Sequence, residues 1–193
     1  MTTGRLIYVM GPSGAGKDSV IAFARAASDP KRTAFAHRYI TRPAVADAEN
    51  HIALSEAEFI ARRDAGWFVL HWKSHGLHYG IGREVDIWLE SGRSAVINGS
   101  RAYLPEALQR YPDMLPVLVT APTAIRQARL EARGRASDGS IAARIDRQVE
   151  LNGSAERIVE IDNSGALDLA GAALLRLLGR PRLKSTEPGA QNR

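Results

Sequence analysis

The chain of 193 residues is long enough for one α/β domain with small insertions and an ample core. It has no cysteine, which excludes disulfides, thiolate chemistry and Cys-ligated metal, and it has no apolar run of membrane-spanning length. The net charge of +5 comes mostly from arginines spread along the chain, without a basic run or an aromatic–basic platform. That pattern favours recognition of small phosphorylated ligands over nucleic acid, and no membrane partner is expected. With no signal-peptide pattern before the first strand, a soluble cytoplasmic protein is expected.

Arg5 to Met10 is an apolar, β-prone run that feeds Gly11-Pro12-Ser13-Gly14-Ala15-Gly16-Lys17-Asp18-Ser19, and a helix-forming run follows from Val20 to Ala27. Strand, G-x-x-x-x-G-K loop and helix in this order describe a P-loop, whose backbone N–H groups cradle the phosphates of a nucleoside triphosphate. Lys17 then reaches the β- and γ-phosphates as a point charge. The Ser or Thr expected after the lysine is Asp18 here, with Ser19 one place later. Either is a candidate for holding Mg²⁺, directly or through its water shell, and the spacing does not choose between them.

Beyond a turn at Asp29–Arg32, Ala34 to Ile40 reads as a second strand ending in Thr41-Arg42-Pro43, and 44–51 as irregular. Ser55-Glu56-Ala57-Glu58 has capping-box spacing and predicts a helix from Glu56 to about Ala65, ended by Gly66. Trp67 to Trp72 reads as a strand, His75 to Gly80 as a turn, and Arg83 to Glu90 as a helix. Ser94 to Asn98 is a buried-type strand leading to Gly99-Ser100-Arg101 and a helix ending near Arg110. Leu115 to Ala121 is the next strand, and Thr123 caps a helix to about Arg133. After a break at 134–139 a helix resumes from Ser140 to about Leu151. Arg157 to Ile161 is the last strand and Ala166 to Leu178 the closing helix; 179–193 reads as a disordered tail.

Alternating strands and helices imply an α/β fold, three layers with a parallel core sheet covered on both faces, and ligands at the C-terminal strand ends. The expected organisation is a single P-loop domain over 1–178, with an insert at about 34–84 and a lid at about 123–151.

Arg126, Arg129 and Arg133 share one helical face, Arg144 and Arg147 another, and Arg135 lies in the glycine-containing break. A helix–loop–helix of this kind suits a lid that closes guanidiniums over a transferring phosphoryl group, with Arg133 and Arg144 as the catalytic candidates. The plainer explanation is a solvated arginine face. His71, His75 and His78 cluster, but the glycines around them make this a loop and no carboxylate completes a zinc set, so hydrogen bonding to a polar substrate by His75, His78 and Tyr79 is preferred. Asp162-Asn163-Ser164 either contacts adenine or caps the final helix, the second being preferred.

Gly11 to Lys17, Thr41-Arg42-Pro43, Gly66 to Tyr79 and Arg133-Gly134-Arg135 resemble, in order, the guanylate kinase family across about residues 5–178. There are departures: the family's guanine-reading glutamate falls at Leu70, the second arginine of its T-R-P-P-R run at Val45, and its D-x-D-x-Q-G strand end at Val96 to Arg101. A guanine pocket without its carboxylate would select poorly. The Gly16-Lys17-Asp18-Ser19 ending, Arg38 to Pro43, Glu49-Asn50-His51, His75-Gly76-Leu77 with Tyr79-Gly80, and Asn98 to Arg101 resemble one branch, the ribose 1,5-bisphosphate phosphokinases of phosphonate catabolism.

That resemblance implies transfer of the ATP γ-phosphoryl to the 1-phosphate of the sugar, giving 5-phosphoribosyl 1-diphosphate. It implies ATP and Mg²⁺ as cofactors and a small sugar phosphate as partner. Arg42 and Arg101 would bind acceptor phosphates, Glu49, His51 and Asn98 ribose hydroxyls, and His75 and Tyr79 would line the site. Other readings are a nucleoside monophosphate kinase of altered base preference and a non-catalytic interaction module. The choice between monomer and homodimer stays open.

Overall fold

The structure, a computed structural model, describes residues 4–43, 50–133 and 158–179. Strand β1 (Leu6–Met10) is buried throughout and sits at the centre of a five-stranded parallel sheet. Its order is β2 (Thr33–Phe35), β7 (Ser94–Asn98), β1, β8 (Leu115–Thr120), β9 (Val159–Asp162). Side chains alternate across each strand. Leu6, Tyr8 and Met10 therefore join one core with Leu104 and Ala107 of α4 (Leu104–Arg110) and Val85 of α3 (Glu84–Glu90). Ile7 and Val9 join the other, with Val20 and Ala24 of α1 (Lys17–Ala27) and Ala170, Leu174 and Leu177 of the last helix, α6 (Leu167–Leu178). Both faces of the sheet are covered, as the alternation of strands and helices requires.

A second sheet of four strands has the order β4 (His51–Ala53), β3 (Arg38–Ile40), β6 (Leu77–Gly82), β5 (Phe68–Ser74). The run read as one strand, Ala34 to Ile40, is thus two strands in different sheets, joined by Ala36 and His37. The four-stranded sheet starts at Arg38, and Thr33–Phe35 is the edge of the core sheet. Two further expectations shift. Leu77 to Gly80 is strand, not turn, because only His75 (φ 50°) and Gly76 (φ 76°) form the bend, a two-residue hairpin with both φ positive. His51 begins a short strand rather than ending an irregular segment.

Helix α2 (Glu56–Asp64) starts where the capping box placed it: the Ser55 hydroxyl accepts the Glu58 N–H at 3.1 Å. The Glu58 carboxylate turns to Arg62 at 2.6 Å, so half of the box is made. A 3-10 turn over Arg101–Tyr103 precedes α4, and α5 (Thr123–Arg133) follows β8. Among the described residues no helix is long and apolar enough to cross a membrane. Most of the lid segment, from 134 on, and the tail from 180 lie outside the described residues.

Candidate active site

The P-loop follows β1 at the C-terminal rim of the parallel sheet, the place where such sheets bind ligands. Gly16 stands before α1 with φ 84°, and a Cβ there would lie 2.3 Å from Asn163 Nδ2, so only glycine fits. The Ala15 carbonyl points back into the fold, where it accepts Asn163 Nδ2–H at 2.7 Å and Arg129 at 3.5 Å. Arg129 also donates to the Asn163 carbonyl at 2.9 Å. Drawing this carbonyl inward fixes the curl of the loop from behind.

Asn163, 2% exposed, is thus neither an adenine contact nor a helix cap: the N-cap of α6 is Ala166, without a side-chain cap, and Asp162 instead closes a local turn onto Ser164. Arg126 is buried and bonds Thr123, while Arg129 braces the loop, so neither belongs to a fully solvated face. Arg133 is the last residue of α5, while Arg135, Arg144 and Arg147 lie outside the described residues.

From the P-loop a cleft runs between the two sheets. It is lined by Gly11, Ser13 and Lys17, by Gly99 to Ala102 from the core sheet, and by Arg38, Trp72, Ser74, His75 and Tyr79 from the small sheet. Among the described lining residues three are cationic (Lys17, Arg38, Arg101) and none is a carboxylate, the electrostatics of a polyanion site. Trp72 stacks between Tyr79 (centroids 5.5 Å, planes 2° apart) and Tyr103 (5.5 Å), tying the two walls together.

The core-sheet wall is held by Tyr8. Its hydroxyl donates to the Ser100 carbonyl at 2.8 Å and accepts the Ser100 N–H at 2.9 Å. Burial holds this phenol well above its ordinary value of 10.0, so it keeps the proton it donates. The ring lies so close under Gly99 that a Cβ there would approach it to 2.1 Å.

Asp18 and Asn98 meet. Because a carboxylate only accepts, the contact of 2.6 Å places Asn98 Nδ2 as donor to Asp18 Oδ1. Asn98 Oδ1 is left buried without a hydrogen-bond partner. Arg38 reaches the same Asp18 oxygen at 3.5 Å. Ser19 is exposed on the first turns of α1.

On the small sheet, alternation separates residues that the sequence places together. Arg38, Tyr79 and Trp72 share the inner face with His51, the register partner of Arg38. His71 and His78 take the outer face, where His78 packs on Phe59 and contacts Glu56 at 3.2 Å. His78 is therefore a structural residue, not a substrate contact, and the three histidines do not converge. Both ring nitrogens of His51 are buried and lack hydrogen-bond partners. Arg42 is half-buried at the bend after β3, outside the cleft lining, and Glu49 lies outside the described residues. Leu70, 1% exposed, is sealed in the apolar core, where a base-reading carboxylate would be desolvated.

Sequence reasoning gave no role to Tyr8, Arg38 or Trp72. The available signal for Arg38 was its phase, two residues before buried Ile40, which puts a cation on the inward face of a strand.

No family model matches the chain. Among solved structures it resembles guanylate kinase from Anaplasma phagocytophilum, with a TM-score of 0.65 and 15% identity over 92% of this chain and 86% of that one. It also resembles a sugar kinase from Janibacter sp., with a TM-score of 0.53 and 17% identity over 91% and 94%. Identities this low carry the fold alone, an α/β P-loop kinase fold. Curated relatives carry more. Ribose 1,5-bisphosphate phosphokinase PhnN of Desulfomicrobium baculatum is 55% identical over 90% of this chain and 94% of its own. The protein of that name from Thiobacillus denitrificans is 48% identical (92% and 94%), and that from Burkholderia mallei 50% (92% and 97%). With half of the residues shared along nearly the whole of both chains, the protein belongs to the ribose 1,5-bisphosphate phosphokinase PhnN family.

Proposed function

We propose that this protein transfers the γ-phosphoryl group of ATP to the 1-phosphate of ribose 1,5-bisphosphate, yielding 5-phosphoribosyl 1-diphosphate and ADP, in the cytoplasm and in the service of phosphonate catabolism. The observation that carries the reading is a cleft continuous with the P-loop, walled by Lys17, Arg38 and Arg101, where Leu70 closes the position of a base-reading acid. The identity to curated kinases of that name supports the same substrate.

An oxygen of the acceptor phosphate, ionised at neutral pH, attacks the γ-phosphorus while the bond to the bridging oxygen of ADP breaks, and no proton has to move. Catalysis then rests on alignment and on charge neutralisation. The P-loop N–H groups hold the phosphates, and Lys17 neutralises charge at the γ-phosphate. Arg101 and Arg42 anchor acceptor phosphates; His51, Glu49 and Asn98 face ribose hydroxyls; His75 and Tyr79 line the sugar. Arg133 and Arg144 close over the reacting group from the lid.

The oxygens at the start of α1 suit Mg²⁺: the Asp18 carboxylate, held by Asn98 Nδ2–H at 2.6 Å, and the Ser19 hydroxyl are hard ligands, and this ion keeps much of its water shell. Bound there, Mg²⁺ supplies charge neutralisation of the phosphates.

The deciding experiment is a panel assay of ADP formation with GMP, other nucleoside monophosphates, ribose 5-phosphate and ribose 1,5-bisphosphate. Turnover of the bisphosphate is expected. Brisk use of GMP with no use of the sugar refutes the reading.

A further inference from the structure

The geometry points to Arg38 as a specificity-determining residue that grips the attacking 1-phosphate of the acceptor. The inference rests on the proposed reaction and adds a contact to it. Arg38 is carried on β3, on the inner face of the small sheet, and its side chain is 12% exposed. A guanidinium is rarely buried this far without a charged partner. Here it reaches across the cleft to Asp18, the residue directly after Lys17, at 3.5 Å, and it lies over the Tyr79 ring at 5.8 Å.

These contacts place a fixed cation beside the first turn of α1, where the γ-phosphoryl group of a P-loop nucleotide comes to rest. Five N–H donors let one guanidinium hold Asp18 and a phosphate together, and the planar fork matches phosphate oxygens bidentately. Arg101, from the core-sheet wall, is then left to the phosphate at the far end of the sugar. Arg38 thus adds to Arg42 and Arg101, and its place beside Asp18 sets it against the phosphate that reacts.

The test compares wild type with Arg38→Gln and Arg38→Lys. It measures KM for ribose 1,5-bisphosphate and for ATP, calorimetric binding of the bisphosphate to ATP-free protein, and inhibition by ribose 5-phosphate, which lacks the 1-phosphate. Thermal melting confirms folding. Arg38→Gln is expected to lose roughly 10–100-fold in bisphosphate affinity, with Arg38→Lys between it and wild type. The KM for ATP and the inhibition by ribose 5-phosphate should stay within about threefold, since neither ligand uses this contact. Bisphosphate affinity unchanged in Arg38→Gln overturns the inference, as does an equal loss for ribose 5-phosphate or for ATP. A wild type that binds the bisphosphate without phosphorylating it refutes the proposed reaction instead, and one that does not bind it overturns both.

Discussion

Removal of a single oxygen from the core should loosen one wall of the cleft. Tyr8→Phe keeps the ring, which is 0% exposed and packed under Gly99, and deletes only the hydroxyl that both donates to and accepts from the backbone of Ser100. The Ser100 carbonyl keeps a second donor, the Tyr103 N–H at 3.2 Å, so its loss is an ordinary hydrogen bond, about 0.5–1 kcal/mol. The Ser100 N–H loses Tyr8 in a partly buried setting, worth about 1–2 kcal/mol. Together the change should cost about 2 kcal/mol, roughly a 30-fold shift in the folding equilibrium. Urea denaturation with unchanged m-value measures it. The same loop carries Arg101, so the KM for the bisphosphate should rise several-fold while that for ATP holds. A loss below about 0.5 kcal/mol with both KM values unchanged would show that Tyr8 merely fills space.

Asn163→Ala removes the 2.7 Å support of the Ala15 carbonyl; it should raise the KM for ATP several-fold and lower stability by about 1–2 kcal/mol, and an unchanged KM for ATP counts against the bracing role. Asp18→Ala should demand roughly 10–100-fold more Mg²⁺ for half-maximal rate; an identical Mg²⁺ titration removes Asp18 from that role. Leu70→Glu should not create a guanylate kinase, because the carboxylate enters an apolar core at a cost of about 3 kcal/mol. Burial raises that carboxyl's folded pKa above its unfolded value, so the penalty should shrink as pH falls and the group becomes neutral in both states. Melting curves from pH 7 to 5 check the sign, and a penalty that grows on acidification would contradict it.

Local chemistry made much of this molecule legible. The P-loop was readable because strand, glycine spacing, lysine and helix are contiguous, and α2 because Ser55 caps a turn only three residues away. What escaped depends on partners far along the chain. The β-prone run from Ala34 to Ile40 contains no glycine or proline to mark its break, and the two halves pair with strands roughly sixty and forty residues downstream. Asn163 looks like any polar residue at a strand end, yet it supports a carbonyl 148 positions earlier. Tyr8 reads as one more apolar strand residue until Gly99 is folded over it. His78 differs from Tyr79 by one step of the pleat, which is enough to send it to the opposite side of the sheet.

That one-step alternation has an evolutionary consequence. The small sheet seals its outer face through Phe59, Phe68 and Tyr39 against α2, and Leu70, Trp72 and Ile81 anchor its inner face in the core, so the polar side chains among them, Arg38, His51 and Ser74, carry little of the burden of keeping the sheet together. Mutation can exchange those polar residues and change the molecule that is accepted, while the nucleotide cradle behind stays as it was. One kinase scaffold can in this way be refitted from a base to a sugar by substitutions confined to a single side of a few short strands.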